Sequence, residues 1–183
     1  MEARWGVDGK PVCVGGQQPI PDCATCASWY NDVPGVSKPF QETIVLERQG
    51  DVYVFESSSY FPIDGRGFGD SGTDDNGVSH NYHFTTEIHT RFTYQGSESF
   101  SFTGDDDVWV FINDKLAVDL GGIHRELSGG VDLPSVASSL GLVVGETYPL
   151  DIFHAERRTT ESNFKFTTSI GLTDALCAPP ALP

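Results

Sequence analysis

A long run of alternating residues in the middle of the chain constrains its fold more than any other feature. Seven successive alternate positions carry aromatic, isoleucine or threonine side chains: Tyr82, Phe84, Thr86, Ile88, Thr90, Phe92 and Tyr94. Successive side chains of a strand point to opposite faces of a sheet, so a period of two predicts a strand with one buried face. The segment is therefore interpreted as a long amphipathic β-strand.

Shorter strand patterns occur on both sides of this run. They lie at 44–46, 52–54, 100–102, 108–112, 116–120, 150–152 and 164–170. Short turns near 95–97 and at Asn113–Asp114 predict two hairpins, and only 132–141 has the apolar spacing of a short helix. The 20 glycines and 11 prolines suit a turn-rich chain. An all-β fold is predicted, an antiparallel β-sandwich with at most short helices.

The four cysteines are confined to the two ends of the chain. Cys23 and Cys26 form one Cys-x-x-Cys pair, but Cys13 and Cys177 are too scattered to supply the second pair that a zinc site needs. A redox pair normally follows a strand and opens a helix, whereas this one lies in a turn-rich stretch. Structural disulfides are expected, with zinc or free thiols as the alternatives, and Cys177 is expected to be bridged to Cys26. Disulfides indicate a secreted or cell-surface protein.

Composition divides the chain into three parts. Residues 1–28, rich in Gly, Pro and Cys, are predicted to be a disulfide-stapled extension packed on the domain formed by residues 29–172. Residues 173–183 are predicted to begin a linker, which makes the chain part of a larger multidomain protein.

Charge and hydropathy exclude several classes of partner. The 26 acidic and 11 basic residues leave a net charge of −15, whereas binding to phosphate groups needs a basic surface. Nucleic acid is not an expected partner, and an anionic membrane surface is disfavoured for the same reason. No stretch approaches the ~18 consecutive apolar residues of a membrane span, so direct membrane insertion is not expected. Divalent cations and neutral ligands remain open.

Three adjacent aspartates stand between two predicted strands. Asp105, Asp106 and Asp107 follow Gly104 directly, and carboxylates this close repel one another without a counter-ion. One alternative is a solvated acidic turn. A catalytic carboxylate pair is disfavoured, because adjacent side chains on a strand point to opposite faces and cannot flank one bond. A calcium site, which uses hard oxygen ligands held on a loop, fits the pattern best.

Five stretches of the sequence resemble one known family. They are FTGDDDVWVFINDKLAVDLGGIH at 102–124, FHAERRTTESNF at 153–164, WYNDVPGV at 29–36, SSYFPIDGRGFG at 58–69 and HNYHFTTEIHT at 80–90. Together they make residues 29–172 similar to the fibro-slime domain. This domain resembles a branch of the lectin-like superfamily named after the anthrax protective antigen, which includes yeast flocculins, epithelial adhesins and bacterial adhesin lectins. The resemblance implies a β-sandwich fold.

The resemblance also implies a calcium site. In the sugar-binding members, two successive aspartates joined by a cis peptide bond chelate calcium, a second loop completes the shell of the ion, and sugar hydroxyls coordinate it directly. Asp105 and Asp106 match that pair, and the second loop maps to 154–163, where this sequence departs from the flocculin pattern. The candidate ligands of the second loop are Glu156, Glu161, Asn163 and backbone carbonyls. Glu156 is the preferred candidate, with Asn163 second.

Several other side chains are candidates for contact with a ligand. They are Asp107, His124, Arg157 and Arg158. A plain turn around His124 and two solvated loop charges at Arg157 and Arg158 are the alternatives, and the arginines could also offset the acidic cluster. Trp109 is expected in the core, while Trp29 and Tyr30 are open between core and sugar stacking. The acidic loop 70–77 is interpreted as a flexible solvated loop rather than a second calcium site.

The function expected from these features is that of a calcium-dependent carbohydrate-binding module. It would belong to a bacterial surface or secreted protein and bind vicinal hydroxyls of a cell-surface glycan or polysaccharide, in adhesion. The alternative is a non-binding structural module of a large adhesin or slime protein, in which calcium only rigidifies the fold. An enzyme is the third option and is not expected, because the histidines and serines fit no catalytic triad.

Overall fold

The structure is a computed structural model that describes residues 1–14, 22–157 and 161–173. Its strands are β1 (Glu47–Gln49), β2 (Val52–Ser57), β3 (Gly72–Thr73), β4 (Ser79–His80), β5 (Phe84–Thr93), β6 (Ser99–Gly104), β7 (Asp107–Ile112), β8 (Lys115–Leu120), β9 (Leu127–Asp132), β10 (Thr147–Glu156), β11 (Phe164–Thr168) and β12 (Leu172–Thr173). The two short helices are α1 (Cys23–Trp29) and α2 (Leu133–Leu140), the second of which matches the predicted helix. The predicted all-β sandwich is confirmed.

Two five-stranded antiparallel sheets form the sandwich. One has the strand order β1-β2-β11-β6-β9 and the other the order β12-β5-β10-β7-β8, while β3 and β4 form a separate ribbon. The predicted long strand is β5, which pairs with β10 over ten residues. The consecutive strands β6 and β7 belong to different sheets, so the chain crosses between the sheets at Asp105 and Asp106.

The inner faces of the sheets meet in a core of aromatic and branched side chains. Phe100, Phe102, Phe164 and Phe166 line one side and are almost completely buried. The opposite sheet contributes Val108, Val110, Ile112, Leu150 and Ile152. Burying each of these side chains stabilises the fold by about 1.5–3 kcal/mol.

A second apolar cluster covers the outer face of the sheet that contains β7. Trp109, Phe111 and Phe153 point outward from this sheet, are at most 1% exposed, and pack with Tyr30 and Trp29 from the amino-terminal part of the chain. As a result β7 is buried on both faces, which explains why its sequence is a continuous apolar run rather than an alternating one. Trp109 is a core residue, as predicted.

The turn at Asn113–Asp114 is confirmed as a hairpin, but the turn at 95–97 is not. Asn113 and Asp114 have φ angles of 51° and 63°, the left-handed values of a tight turn between β7 and β8. By contrast, β5 and β6 lie in different sheets. The turn at 95–97 therefore joins the sheets, and the Glu98 carboxylate holds it by accepting hydrogen bonds from its three backbone N–H groups.

Three further elements differ from the sequence prediction. The pattern at 44–46 forms no strand, although Ile44 and Leu46 pack against the core from an irregular segment. Strand β9 was not predicted, because its two glycines interrupt the alternation of side chains. Helix α1 was not predicted either, since seven residues are too few for a helical period to be read.

The disulfide differs from the predicted pairing. Cys13 is bonded to Cys26 of α1, with their Cα atoms 6.5 Å apart, so the prediction that Cys26 pairs with Cys177 is wrong. The amino-terminal segment folds back on itself and brings Cys13 to the helix, which sequence spacing could not reveal. Cys23 is exposed and forms no disulfide with another described residue, and Cys177 lies outside the described residues.

Mass spectrometry of non-reduced peptides should recover a Cys13–Cys26 pair. Cys23 is the amino-terminal cysteine left for Cys177, so a Cys23–Cys177 pair is expected beside it. The first bridge closes a loop with a sequence separation of 13 residues. In the chain-entropy model such a loop stabilises the fold by about 3 kcal/mol, so Cys13→Ser should lower the melting temperature. Recovery of a Cys26–Cys177 peptide would contradict this pairing.

Candidate functional site

Three connections between the sheets converge at one end of the sandwich. The chain crosses there from β6 to β7, from β8 to β9 and from β10 to β11. The strand register requires this, because Asp107 pairs with Ala155, Val108 pairs with Leu120, and Gly104 pairs with Phe164. The aspartates of the first connection therefore face the loops that follow β8 and β10. The peptide bond between Asp105 and Asp106 is cis, as the family resemblance implies.

Asp105 is joined to the loop after β10 through both backbone and side chain. Its carboxylate Oδ1 accepts a hydrogen bond from the Asn163 N–H at 2.6 Å, and its own N–H donates to the Asn163 carbonyl at 3.3 Å. Its carbonyl accepts from Nε2 of the buried His154 at 3.1 Å. Burial lowers the pKa of His154 to about 4, so the imidazole that holds this carbonyl is neutral at physiological pH.

Asp106 ties two loops together and is completely buried. Its Oδ1 accepts from the His124 N–H at 3.2 Å, and its Oδ2 accepts from the Arg157 N–H at 3.1 Å. Asp107 makes the same connection on the outer face of the sheet. Its Oδ1 accepts from the Gly122 N–H at 2.6 Å, and its Oδ2 accepts from Arg157 Nε at 2.5 Å.

The loop after β10 is fixed by a second set of hydrogen bonds. The Tyr60 N–H donates to the Ser162 carbonyl at 2.9 Å, and the Ser162 hydroxyl donates to the Tyr60 carbonyl at 2.8 Å. Ser162 is 1% exposed, so water does not compete for these bonds. Residues 161–163 are therefore held against Asp105 from both sides.

Gly104 is required by the approach of this loop. A Cβ atom at position 104 would lie 2.2 Å from the Asn163 carbonyl oxygen and within 3 Å of the Phe102 ring. No side chain fits there, and the contact that excludes it is the same one that brings Asn163 to Asp105. The glycine before the aspartates is thus a packing requirement of the site.

The electrostatics of the aspartate pair favour a bound cation. Burial raises the pKa of both carboxyl groups above their ordinary range. Glu161 adds to the increase at Asp105, and Asp107 adds to it at Asp106, while hydrogen bonds from the surrounding N–H groups act in the opposite direction. In the described part of the chain the one Lys or Arg ion pair in the cluster goes to Asp107, from Arg157. Neither carboxylate of the pair forms an ion pair with a described lysine or arginine, although the charge of Arg157 lowers the pKa of Asp106, so both are desolvated with little compensating positive charge.

The oxygen atoms available at the site are of the type that calcium binds. Asp105 accepts the Asn163 N–H through Oδ1, and its second carboxylate oxygen offers further acceptor sites. Asp106 uses one lone pair on each oxygen, and an ionised carboxylate offers about four acceptor sites. Among the described residues no three His, Cys, Asp or Glu side chains already surround a metal position. The remaining ligands would have to come from amide or carbonyl oxygens, water or the ligand itself, as calcium allows.

The other predicted site residues have different positions. Glu156 is 1% exposed at the end of β10, directly after Ala155, the partner of Asp107, and on the strand face that carries Ile152 and His154. The His124 ring hydrogen-bonds the backbone of its own loop, at the carbonyls of Leu120 and Arg125.

The Arg157 side chain is 14% exposed and forms an ion pair with Asp107. Arg158 lies outside the described residues. In the acidic loop 70–77, Asp74 accepts hydrogen bonds from the N–H groups of Asn76 and Val78 at 3.0 and 2.7 Å. These bonds form a turn within that loop, and its flexibility stays a prediction.

Sequence reasoning missed one part of the site, Ser162, to which it gave no role. For Arg157 it left open a solvated loop charge, sugar contact and an offset to the acidic cluster, and the structure shows an ion pair with Asp107. The pairing of an arginine with the third aspartate had one signal in the sequence, the surplus of adjacent carboxylates. The Ser162 anchor had none.

Comparison with known proteins identifies the family of this sandwich. The family model described as the PA14 domain matches residues 64–176, which include the aspartates and both loops. The chain belongs to the PA14 domain family. PA14 domains are β-rich, carbohydrate-binding-like domains of adhesins and toxins, so the chain is a carbohydrate-binding or adhesin-like module. The narrower assignment to the fibro-slime domain stays a prediction.

Relatives of this PA14 domain come from the slime mould Dictyostelium discoideum. Protein psiD is 42% identical over 185 residues, covering 94% of this chain and 36% of psiD. Protein psiR is 43% identical over 184 residues, covering 93% of the chain and 18% of psiR. Protein psiC is 42% identical over 182 residues, covering 92% of the chain and 34% of psiC. No solved structure matches the chain significantly.

These relatives correct one expectation and support another. The chain spans between 18% and 36% of the length of these three proteins, as a domain of larger proteins would. The expected bacterial origin is not supported, because the relatives are from Dictyostelium. PA14 domains are usually extracellular or on the cell surface. In the described part of the chain no helix is long and apolar enough to cross a membrane.

Gly104→Ala should damage the site more than an ordinary glycine substitution. The new Cβ would push the Asn163 carbonyl away, and overpacking of this kind costs about 1–3 kcal/mol. Gly171→Ala is the control, since no atom lies within 4 Å of its Cβ position. Urea unfolding of both variants measures the difference. Equal stability of the two variants would show that the loop after β10 does not press on Gly104.

Proposed function

We propose that this PA14 domain is a calcium-dependent carbohydrate-binding module of an extracellular adhesion protein. The observation that carries the proposal is the buried Asp105–Asp106 pair, whose carboxylates are bound by N–H groups and by no lysine or arginine side chain of the described residues. A buried carboxylate without a cation is costly, so this arrangement favours a site completed by a metal ion.

Asp105 and Asp106 would hold the ion from the crossing between β6 and β7. Asn163 and Glu161 are the side chains of the second loop that we assign to it. Asn163 already contacts Asp105, and the Glu161 carboxylate lies near enough to raise the pKa of Asp105, after the larger effect of burial. The sequence-based candidate Glu156 stays beside them, because it follows Ala155, the partner of Asp107, on the inner face of β10.

Sugar recognition would follow from the position of this pair at the loop end of the sandwich. Calcium bound there supplies open coordination positions that two adjacent hydroxyls of a sugar can occupy together. The chain itself contributes the loop that surrounds them. His124 donates its N–H to Asp106, and the neighbouring Ile123 side chain is 45% exposed beside it. A cell-surface glycan or polysaccharide is therefore the proposed ligand, and no catalytic step is part of the proposal.

A structural module is the second candidate, and one observation favours it. Both carboxylate oxygens of Asp106 accept hydrogen bonds from loops, so the aspartate pair stabilises the fold whether or not a sugar binds. A module of this kind would need the pair, and even calcium, without binding any glycan. Binding measurements on a folded variant separate the two candidates.

Asp106→Ala should abolish glycan binding while leaving a folded β-sandwich, and Asp106→Asn should weaken binding severely. The reason is that a hydroxyl gains only about 1 kcal/mol from replacing water on a protein amide, whereas an ion held by two carboxylates binds two hydroxyls at once. The measurement is a glycan array with the wild type and both variants, in calcium and in excess chelator, with circular dichroism to check folding.

Asp75→Ala is the matched control for this array. It removes one carboxylate from the exposed loop 70–77 and should bind glycans like the wild type. Glycan binding by folded Asp106→Ala in chelator would show that the sugar site lies elsewhere. Absence of glycan binding by the wild type, with calcium bound, would favour the structural module.

A further inference from the structure

Asp107 is the aspartate that the proposed calcium site does not use. It is fully buried, and each of its carboxylate oxygens is engaged: one accepts from the Gly122 N–H at 2.6 Å and the other from Arg157 Nε at 2.5 Å. Asp106 accepts from the N–H groups of His124 and of the same Arg157. Two neighbouring carboxylates, one on each face of the sheet, therefore bind the same two loops.

The geometry of loop 121–124 depends on these contacts. Gly122 has a φ of 125°, a backbone conformation that side chains rarely adopt. The Gly121 N–H donates to Asp119 at 3.1 Å, so three N–H groups of the loop donate to three carboxylates, those of Asp119, Asp107 and Asp106. The His124 ring adds contacts with the carbonyls of Leu120 and Arg125. Displacing one of the carboxylates is therefore expected to loosen the loop.

Arg157 packs against the ring of Trp29, the residue that ends α1 and begins the predicted domain. Its guanidinium carbon lies 5.1 Å from the centre of the Trp29 ring, and its Nη2 is buried without a hydrogen-bond partner among the described residues. The Trp29 carbonyl accepts a hydrogen bond from the Thr85 hydroxyl of β5 at 3.0 Å. The Trp29 backbone is thus tied to the sheet, and its ring covers a cation whose ion pair among the described residues is with Asp107.

The amino-terminal extension reaches the site through this contact. Trp29 is the last residue of α1, and α1 carries Cys26 of the Cys13–Cys26 disulfide. The chain of contacts runs from the disulfide through α1 to Trp29, then to Arg157, and from Arg157 to both Asp106 and Asp107.

We propose that Trp29, Arg157 and Asp107 form a positioning unit that holds the two loops around Asp106, and that none of the three contacts the ligand. The inference rests on the proposed function for its effect on ligand binding, and on geometry alone for its effect on the loops. It links the extension to the site through α1. It also removes Asp107 and Arg157 from the candidates for sugar contact that the sequence suggested.

Substitutions in this unit should weaken the site without removing a ligand. Residues that orient the ligands of a metal typically change its affinity 10–100-fold when they are altered. Trp29→Ala and Arg157→Lys should therefore weaken calcium binding by about 10-fold, because lysine keeps the charge but has no Nε–H to bind Asp107. Trp29→Phe keeps a ring over the guanidinium and should recover most of the affinity.

The experiment combines amide hydrogen exchange of the calcium-free protein with calorimetric titration of calcium. Trp29→Ala and Arg157→Lys should accelerate exchange at the amides of Gly122 and Arg157, while exchange between β5 and β10 stays unchanged. Lys115→Gln is the control, because Lys115 lies beside the Asn113–Asp114 turn, at the opposite end of β7 and β8 from these loops, where it bonds the Ser139 carbonyl. It should leave exchange and affinity at their wild-type values.

The two readouts keep this inference separate from the proposed function. Unchanged exchange at Gly122 and Arg157 in both variants would overturn the positioning unit, whatever calcium does. Faster exchange with unchanged calcium affinity would also overturn it, since the unit would then be structural only. If the wild type binds no calcium, the proposed function fails, and the exchange data alone decide whether these residues hold the loops.

Discussion

Three adjacent carboxylates are buried where the chain crosses between the two sheets, and such groups are stable only when something replaces their lost water. Asp107 has a guanidinium and a backbone N–H, which satisfy it. Asp105 and Asp106 have backbone N–H groups but no lysine or arginine side chain from the described residues, and burial raises the pKa of both. This difference between the third aspartate and the first two is the basis on which we propose a structural role for Asp107 and a ligand-binding role for the pair.

The rest of the site follows from the topology of the sandwich. Three crossings between the sheets meet at one end, so the loops after β8 and β10 lie beside the aspartates without any long excursion. Gly104 allows the second loop to approach, and Ser162 anchors that loop to Tyr60. The outer face of the same sheet is covered by residues of the amino-terminal extension, which brings Trp29 to Arg157. Core packing and site geometry are therefore built from the same strands.

Much of the fold could be predicted from the sequence because period-two patterns are local. The strand 84–93 and the hairpin at Asn113–Asp114 follow from residue types alone. The sheet to which each strand belongs cannot be predicted from residue types. The turn at 95–97, for example, has the composition of a hairpin turn and yet joins two sheets. The aspartate pair was found through adjacency and family resemblance. The specific pairing of Asp107 with Arg157 and of Cys13 with Cys26 depends on how separate segments meet in the fold. A single sequence does not show which residues pair.

The central claim is that the Asp105–Asp106 pair is completed by calcium. Thermal unfolding of the wild type, Asp106→Asn and Asp75→Asn over a calcium titration tests it most directly. At 100 times the dissociation constant, calcium should stabilise the wild type and Asp75→Asn by about 2.7 kcal/mol and raise their melting temperatures. Excess chelator should reverse the increase, and Asp106→Asn should show none. Identical melting of the wild type in calcium and in chelator would contradict the account.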